Sequence, residues 1–289
     1  MKRKWTREEI ETLRKEYAKK GGPYLASILR RTPYAIRVKA NRIGLKGFSG
    51  HCRRYSVDEN YFELIDSPRK AYLLGLLMAD GYIIEDKGRS YGVELGLKIS
   101  DKELVGMLKT ELKAEHPLRT CPRGDTADVK LMVFSKKLAA SLVKWGVRMR
   151  KSLRESYPHF FNDEELHRHF ILGYSDGDGS ISIDQQRQGR YKYLKWQLVG
   201  NSKFIQHVAG IIQKFCGARG TSFKSRKVRG NYRELRYWGK EAEKALQWLY
   251  GEGEIKVGLK RKRERWLKWM EAKHAETLIS STLLPLHEV

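Results

Sequence analysis

Cysteine is scarce in this chain and scattered where it occurs. Cys52, Cys121 and Cys216 are odd in number and far apart, and without a CxxC pair they supply neither a disulfide framework nor a structural zinc site. His51-Cys52 is half of a metal-ligand pattern with no second half, which leaves it a linker feature. Long apolar runs are also missing, since none approaches the roughly 20 residues of a membrane-spanning helix. The opening Met1-Lys2-Arg3-Lys4 leads into a charged helix rather than the apolar core of a secretory leader. The expected compartment is therefore the cytoplasm, a nucleoid or an organelle matrix. Acidic residues are the third deficit: 34 Asp and Glu stand against 58 Lys and Arg among 289 residues, a net charge of +24. A surplus of that size predicts a polyanionic partner, and with no membrane span in view that partner is nucleic acid.

What the chain does contain is a repeat. Ala71-Tyr72-Leu73-Leu74-Gly75-Leu76-Leu77-Met78-Ala79-Asp80-Gly81 carries a skeleton of Gly, four residues, Asp, Gly, and Phe170-Ile171-Leu172-Gly173-Tyr174-Ser175-Asp176-Gly177-Asp178-Gly179 carries it again. Gly75 and Gly173 lie 98 positions apart, as do Asp80 and Asp178, so one offset superposes both features and argues for duplication. Each copy reads as a helix ending at its acid. Ser67-Pro68 is a start signal for the first, and Asn162 followed by Asp163, Glu164 and Glu165 for the second, with Gly81 and Gly179 as stop signals. Gly75 with Ala79, and Gly173 with Gly177, put small residues four apart on one face, where another backbone can approach closely. Packing through these faces would bring Asp80 and Asp178 side by side.

Two such carboxylates repel, and each sits at the negative end of a helix dipole. A hard divalent cation relieves both penalties. Mg²⁺, with Mn²⁺ as a substitute, suits a pair of lone acids that leaves room for water and phosphate oxygens, and its partner chemistry is water attack on a phosphodiester. For either stretch alone an ordinary core helix is the simpler reading, which the repeat overturns. A calcium loop on Asp176-Gly177-Asp178-Gly179 fails because Ile181 stands where the sharp turn needs glycine.

The two copies resemble the paired LAGLIDADG motifs of single-chain homing endonucleases, over residues from about 67 to 270. The resemblance implies an α+β fold of two pseudo-twofold αββαββα repeats with saddle-shaped antiparallel sheets. It also implies a monomer that makes a Mg²⁺-dependent double-strand break in a long asymmetric DNA target and so promotes intron mobility. The eighth motif residue, the metal-binding acid of that family, maps onto Asp80 and Asp178, with the Gly81 and Gly179 carbonyls as further candidate donors. A lysine near each active site is best matched by Lys151 in Arg-Lys-Ser and Lys262 in Leu-Lys-Arg-Lys. The chain departs at Met78, where an acid is usual, and at Tyr174-Ser175, where apolar residues are.

Residues 1–47 read as a separate helix-turn-helix unit, 48–66 as a linker, 67–157 and 158–274 as the repeats, and 275–289 as a tail. The first unit is predicted to hold three helices: one from a Thr6/Glu9 capping box to about Lys19, a short one after the Gly21-Gly22-Pro23 break, and a third from Tyr34 to Ile43. Its WTREE, RTPYAI and KANRIGL segments resemble Myb-like domains, which implies DNA binding. Tyr34, Arg37 and Asn41 then lie on the solvent side of the last helix, and Arg and Asn side chains suit base edges in a major groove. Arg53 and Arg54 of the linker are candidate phosphate contacts.

Within the repeats, Val93, Leu95, Leu97 and Ile99 alternate inward against Glu94, Gly96 and Lys98, and Asp101 caps the next helix. Val129, Leu131 and Val133 leave Lys130 and Met132 outward. In the second copy Tyr193, Lys195 and Gln197 oppose Leu194, Trp196 and Leu198, and Lys224 and Arg226 lie across a Gly230-Asn231 turn from Arg233 and Arg236. Lys98, Lys130, Lys195, Gln197, Lys224, Arg226, Arg233 and Arg236 are thus candidate contacts to double-stranded DNA. Two alternatives stay open on the same scaffold: an RNA-binding intron maturase and a non-cleaving DNA-binding regulator. No flanking splicing signals occur, which favours a free-standing or intron-encoded protein over an intein.

Overall fold

A computed structural model describes residues 3–45, 55–86, 89–147, 156–158, 163–185, 191–224, 231–251 and 257–282. The chain forms two compact units, 1–54 and 55–289. No helix among the described residues is long and apolar enough to cross a membrane.

Among the described residues the first unit holds two helices, α1 (Arg7–Ile28) and α2 (Pro33–Arg42). The expected break at Gly21-Gly22-Pro23 does not occur, and α1 runs straight through it. Leu13 and Tyr17 before those residues, and Leu25 and Ala26 after them, enter one core with Ile36 and Ala40 of α2. Burial of both halves against that core offsets the local cost of glycine and proline, roughly 3 kcal/mol for proline alone. Thr6 and Glu9 form the expected capping box. Glu9 does more than cap. Its Oε2 accepts from the Thr6 N–H at 2.9 Å and from Arg31 Nη2 at 2.8 Å, while Oε1 accepts from Arg31 Nε at 3.0 Å. The Arg31 guanidinium lies 4.0 Å over the Trp5 ring and holds the Glu9 carboxyl down at about 2.

The second unit begins with α3 (Pro68–Ala79), β1 (Gly81–Asp86), β2 (Arg89–Lys98), a 3₁₀ turn (Ile99–Asp101), α4 (Lys102–Glu111), β3 (Leu118–Arg123), β4 (Thr126–Val133) and α5 (Lys136–Lys144). The order then repeats as α6 (Glu164–Asp178), β5 (Gly179–Gln185), β6 (Lys192–Asn201), α7 (Ser202–Cys216), β7 (Thr221–Lys224), β8 (Tyr232–Trp238) and α8 (Gly239–Tyr250), followed by α9 (Lys260–Thr282). Two antiparallel four-stranded sheets result, ordered β1-β2-β4-β3 and β5-β6-β8-β7. The same order in both is the structural form of the 98-residue offset. α4 and α5 pack on the first sheet, α7 and α8 on the second, and α3 packs along α6 between them.

The α3–α6 contact is as close as two backbones come. A Cβ on Gly75 would overlap the Phe170 carbonyl and stand 2.8 Å from the Tyr174 nitrogen. One on Gly173 would overlap the Tyr72 carbonyl and stand 2.9 Å from its carbon. Each glycine admits the other helix's backbone, so neither tolerates a side chain. Gly81 and Gly179 are not left-handed stops, as Gly179 is extended with φ −111° and opens β5 directly. A Cβ at either would lie 2.5 Å from the carbonyl of Leu77 or Ser175.

Several local expectations change. Val93, Leu95, Val129, Leu131 and Val133 are buried as the alternation requires, but β2 ends at Lys98, paired with Asp128, and Ile99 is left exposed on the 3₁₀ turn. Asp101 precedes α4 without a side-chain cap, because its carboxylate accepts from the Arg261 guanidinium at 3.3–3.4 Å. Asp163 caps α6 by accepting from the Glu165 N–H, and Asn162 lies outside the described residues.

Gly75→Ala or Gly173→Ala is expected to lose at least about 3 kcal/mol in urea denaturation, the upper range for overpacking a tight contact. Gly106→Ala in α4, where a Cβ meets nothing within 4 Å, is the control and should gain about 0.5 kcal/mol. In the first unit, the Glu9 carboxyl titrates lower folded than unfolded, so its stabilisation is complete above the ordinary value of 4.5 and is lost as pH falls towards about 2. Residue-resolved amide exchange of α1 and α2 across that range should show the loss in wild type and its absence in Glu9→Gln.

Candidate active site

Asp80 is the C-cap of α3 and Asp178 the last residue of α6, and both are exposed. The glycine contact brings these ends together. Gly177, just before Asp178, lies so close that a Cβ there would meet Asp80 Oδ2 at 2.9 Å and overlap the Ala79 methyl. Two carboxylates thus project from adjoining helix termini, where the last carbonyls add negative potential.

Lys262 completes the centre from α9. Its ammonium is buried and donates to the carbonyls of Ser175, Asp176 and Gly179 at 2.6, 2.7 and 2.7 Å. Burial pushes the amine down to about 8, against the pull of Asp176, Asp80 and Asp178. An ammonium has three N–H donors, and all three are spent on the end of α6. The side chain the resemblance offers for holding water is used as a helix cap. The Gly179 carbonyl, a candidate metal donor, is one of its acceptors, while Gly81 opens β1 opposite Leu95. Lys151 lies outside the described residues.

Asp176, quoted from sequence in the second motif and in a rejected calcium loop but given no role, is buried beside this cluster. Its Oδ2 accepts from the Tyr72 hydroxyl and the Leu259 N–H, both at 2.8 Å, and its Oδ1 has no hydrogen-bond partner among the described residues. Burial pushes its carboxyl up, and the Lys262 charge opposes the shift. Leu259 opens the first turn of α9, its carbonyl accepting from the Lys262 and Arg263 N–H groups. The end of α6 and the start of α9 therefore exchange side chains: an acid at the positive end of α9 and an ammonium at the negative end of α6. A cleft beside Asp80 is lined by Asp176, Gly177, Leu259 and Arg261.

The donor set has the chemistry of a hard divalent cation site. It consists of two exposed carboxylates with no histidine or thiol, and no cluster of three or more His, Cys, Asp or Glu able to hold a metal occurs among the described residues. A hard ion that keeps several waters needs no more than this.

The sheet faces are more paired than composition suggests. Lys130 donates to Glu94 at 2.8 Å and Lys195 to Asp184 at 2.6 Å, while Arg236 pairs with Glu234 and lies 5.0 Å over the Phe223 ring. Lys98 is exposed, and Gln197 stands between Ser180 and Arg236. Lys224 pairs with Arg233 and Arg233 with Gly200, on the strand parity of core-facing Leu235 and Tyr237. These two cations therefore do not share a face with Arg236, because alternation along β8 puts residues three apart on opposite sides. Phe223 and Trp238 do share its parity and pack edge to face, a contact the charge-led reading missed. Arg53, Arg54 and Arg226 lie outside the described residues. In the first unit Tyr34, Arg37 and Asn41 are exposed along α2, with the Arg37 guanidinium 5.5 Å over the Tyr34 ring.

No family model and no curated protein matches the chain. Among solved structures it resembles the I-SmaMI LAGLIDADG homing endonuclease bound to cleaved DNA, at 11% identity and a TM-score of 0.50 over 75% of this chain and 92% of that one. It is also similar to the LAGLIDADG homing endonuclease I-GzeII in complex with its DNA target, at 14% identity and a TM-score of 0.48 over 76% and 93%. The first likeness bears on the fold: two antiparallel four-stranded sheets about a central helix pair form the LAGLIDADG α+β architecture.

Lys262→Met should take a donor from three carbonyls at the end of α6, of which only that of Ser175 is known to keep another, the Gly179 N–H, at a cost of roughly 2 kcal/mol in urea denaturation. Lys268→Met, on the exposed side of the same helix, should cost nothing measurable.

Proposed function

We propose that this chain is a site-specific DNA endonuclease that hydrolyses one phosphodiester in each strand of a long asymmetric target with Mg²⁺, as intron-homing enzymes do. The observation that supports the reading is the close approach of the ends of α3 and α6, where Asp80 Oδ2 stands beside Gly177, the chain neighbour of Asp178. The fold adds support, since the I-SmaMI protein that shares it is a homing endonuclease bound to cleaved DNA. Asp80 and Asp178 would hold the ion, which when bound supplies Lewis-acid stabilisation and an activated water.

The chain's own residues do the rest. The α3–α6 contact sets the spacing of the acids, and Lys262 fixes the end of α6 on which Asp178 sits. The strand faces carry Lys130 with Glu94, Lys195 with Asp184 and Arg236 with Glu234. Each pair presents donors beside acceptors, a combination suited to base edges in a major groove rather than to phosphates alone. Exposed Tyr34, Arg37 and Asn41 make α2 a further DNA-contacting element. The two faces differ in sequence, so the target is asymmetric, and one chain supplies both halves, so the enzyme acts as a monomer.

Asp80→Asn and Asp178→Asn are each expected to lower double-strand cleavage by at least about 100-fold, the scale set by a misplaced reacting group. Binding to the same DNA in Ca²⁺, followed by fluorescence anisotropy, should change less than about fivefold, within the spread of a surface charge change. Binding lost together with cleavage would assign the acids to architecture instead.

A further inference from the structure

The 98-residue offset that superposes the two motifs also compares what lies buried behind them. It carries Tyr72 onto Phe170 and Asp176 back onto Met78. All four side chains are buried. On one side of the pseudo-twofold stand a hydroxyl and a carboxylate joined by a 2.8 Å hydrogen bond across the α3–α6 interface; the equivalent positions on the other hold two apolar side chains. An internal carboxylate is expensive to bury, and Asp176 leaves one oxygen without a hydrogen-bond partner among the described residues. Packing does not explain it, because methionine fills the equivalent position in the first repeat. The bond to the Leu259 N–H does: it ties the start of α9, and with it Lys262, to the end of α6.

We infer that Asp176 is a positioning residue of the second half-site alone, holding α9 so that the Lys262 ammonium fixes the carbonyls that flank Asp178. The inference rests on the endonuclease reading and adds a consequence that reading does not require. One half-site has this buried acid and the other has methionine at the equivalent position, so loosening the brace unbalances cutting of the two strands.

The test is made on the full chain. Tyr72→Phe with Asp176→Met transplants the apolar pair of the first repeat and so keeps the interface filled. Asp176→Asn keeps an oxygen able to accept both hydrogen bonds. The Leu259 amide, followed by residue-resolved hydrogen exchange without DNA or metal, should exchange at least about tenfold faster in the double variant and within about threefold of wild type in Asp176→Asn. On strand-labelled duplex in Mg²⁺, the double variant should nick one strand about 10 to 100 times more slowly while the other changes less than about threefold, the scale of a lost supporting contact. Asp176→Asn should leave the strand ratio as in wild type.

Unchanged Leu259 exchange in the double variant overturns the anchor. Equal slowing of both strands overturns the asymmetry, and a skewed ratio in Asp176→Asn with Leu259 still protected shows that charge, not the tether, acts. If the wild type cuts no DNA, the endonuclease reading fails by itself, and the exchange data still decide whether Asp176 holds α9.

Discussion

The closeness of Gly75 to Gly173 is the constraint on which the other features rest. Backbone packs on backbone there, so α3 and α6 have one register and one separation available to them. That register places Asp80 against Gly177, beside Asp178. It also lets Tyr72 on one helix reach Asp176 on the other, and Asp176 reach the start of α9. A looser interface would keep both sheets and lose this alignment of the helix ends.

Electrostatics then work in a small space. The ends of two helices point negative potential at two exposed carboxylates, and the nearest buried cation, Lys262, has its protons committed to carbonyls. On the proposed reading, the two acids would supply the oxygen donors for a hard divalent ion. Away from this point, several of the cations that give the chain its charge of +24 are already matched by carboxylates on the strand faces. On the proposed reading, net charge would draw nucleic acid in and the pairs would decide what is read.

The duplication was legible because it is periodic: one offset, two glycines, two acids and the same order of alternating strands. The caps at Thr6 and Ser67 follow from local rules and are present. What could not be read was set by partners distant in sequence. α1 continues through Gly21-Gly22-Pro23 because its far half shares a core with α2. Asp101 serves Arg261, 160 positions away, instead of its own helix. Lys262 was found through a basic run, yet its use as a cap depends on the end of α6, and Asp176 was read only as a member of the second motif helix, because its partner Leu259 lies 83 positions away. Arg233 and Arg236 were grouped by charge, while strand parity separates them.

The central claim is that two acids at one helix junction make one centre for cutting both strands of DNA. The most direct measurement is to incubate the purified chain with a randomised or genomic duplex pool in Mg²⁺ and sequence every end produced. The account predicts paired ends, one on each strand at a fixed stagger, recurring within one long non-palindromic sequence. Ends scattered without a shared flanking sequence, or no ends above a metal-free control, would contradict it.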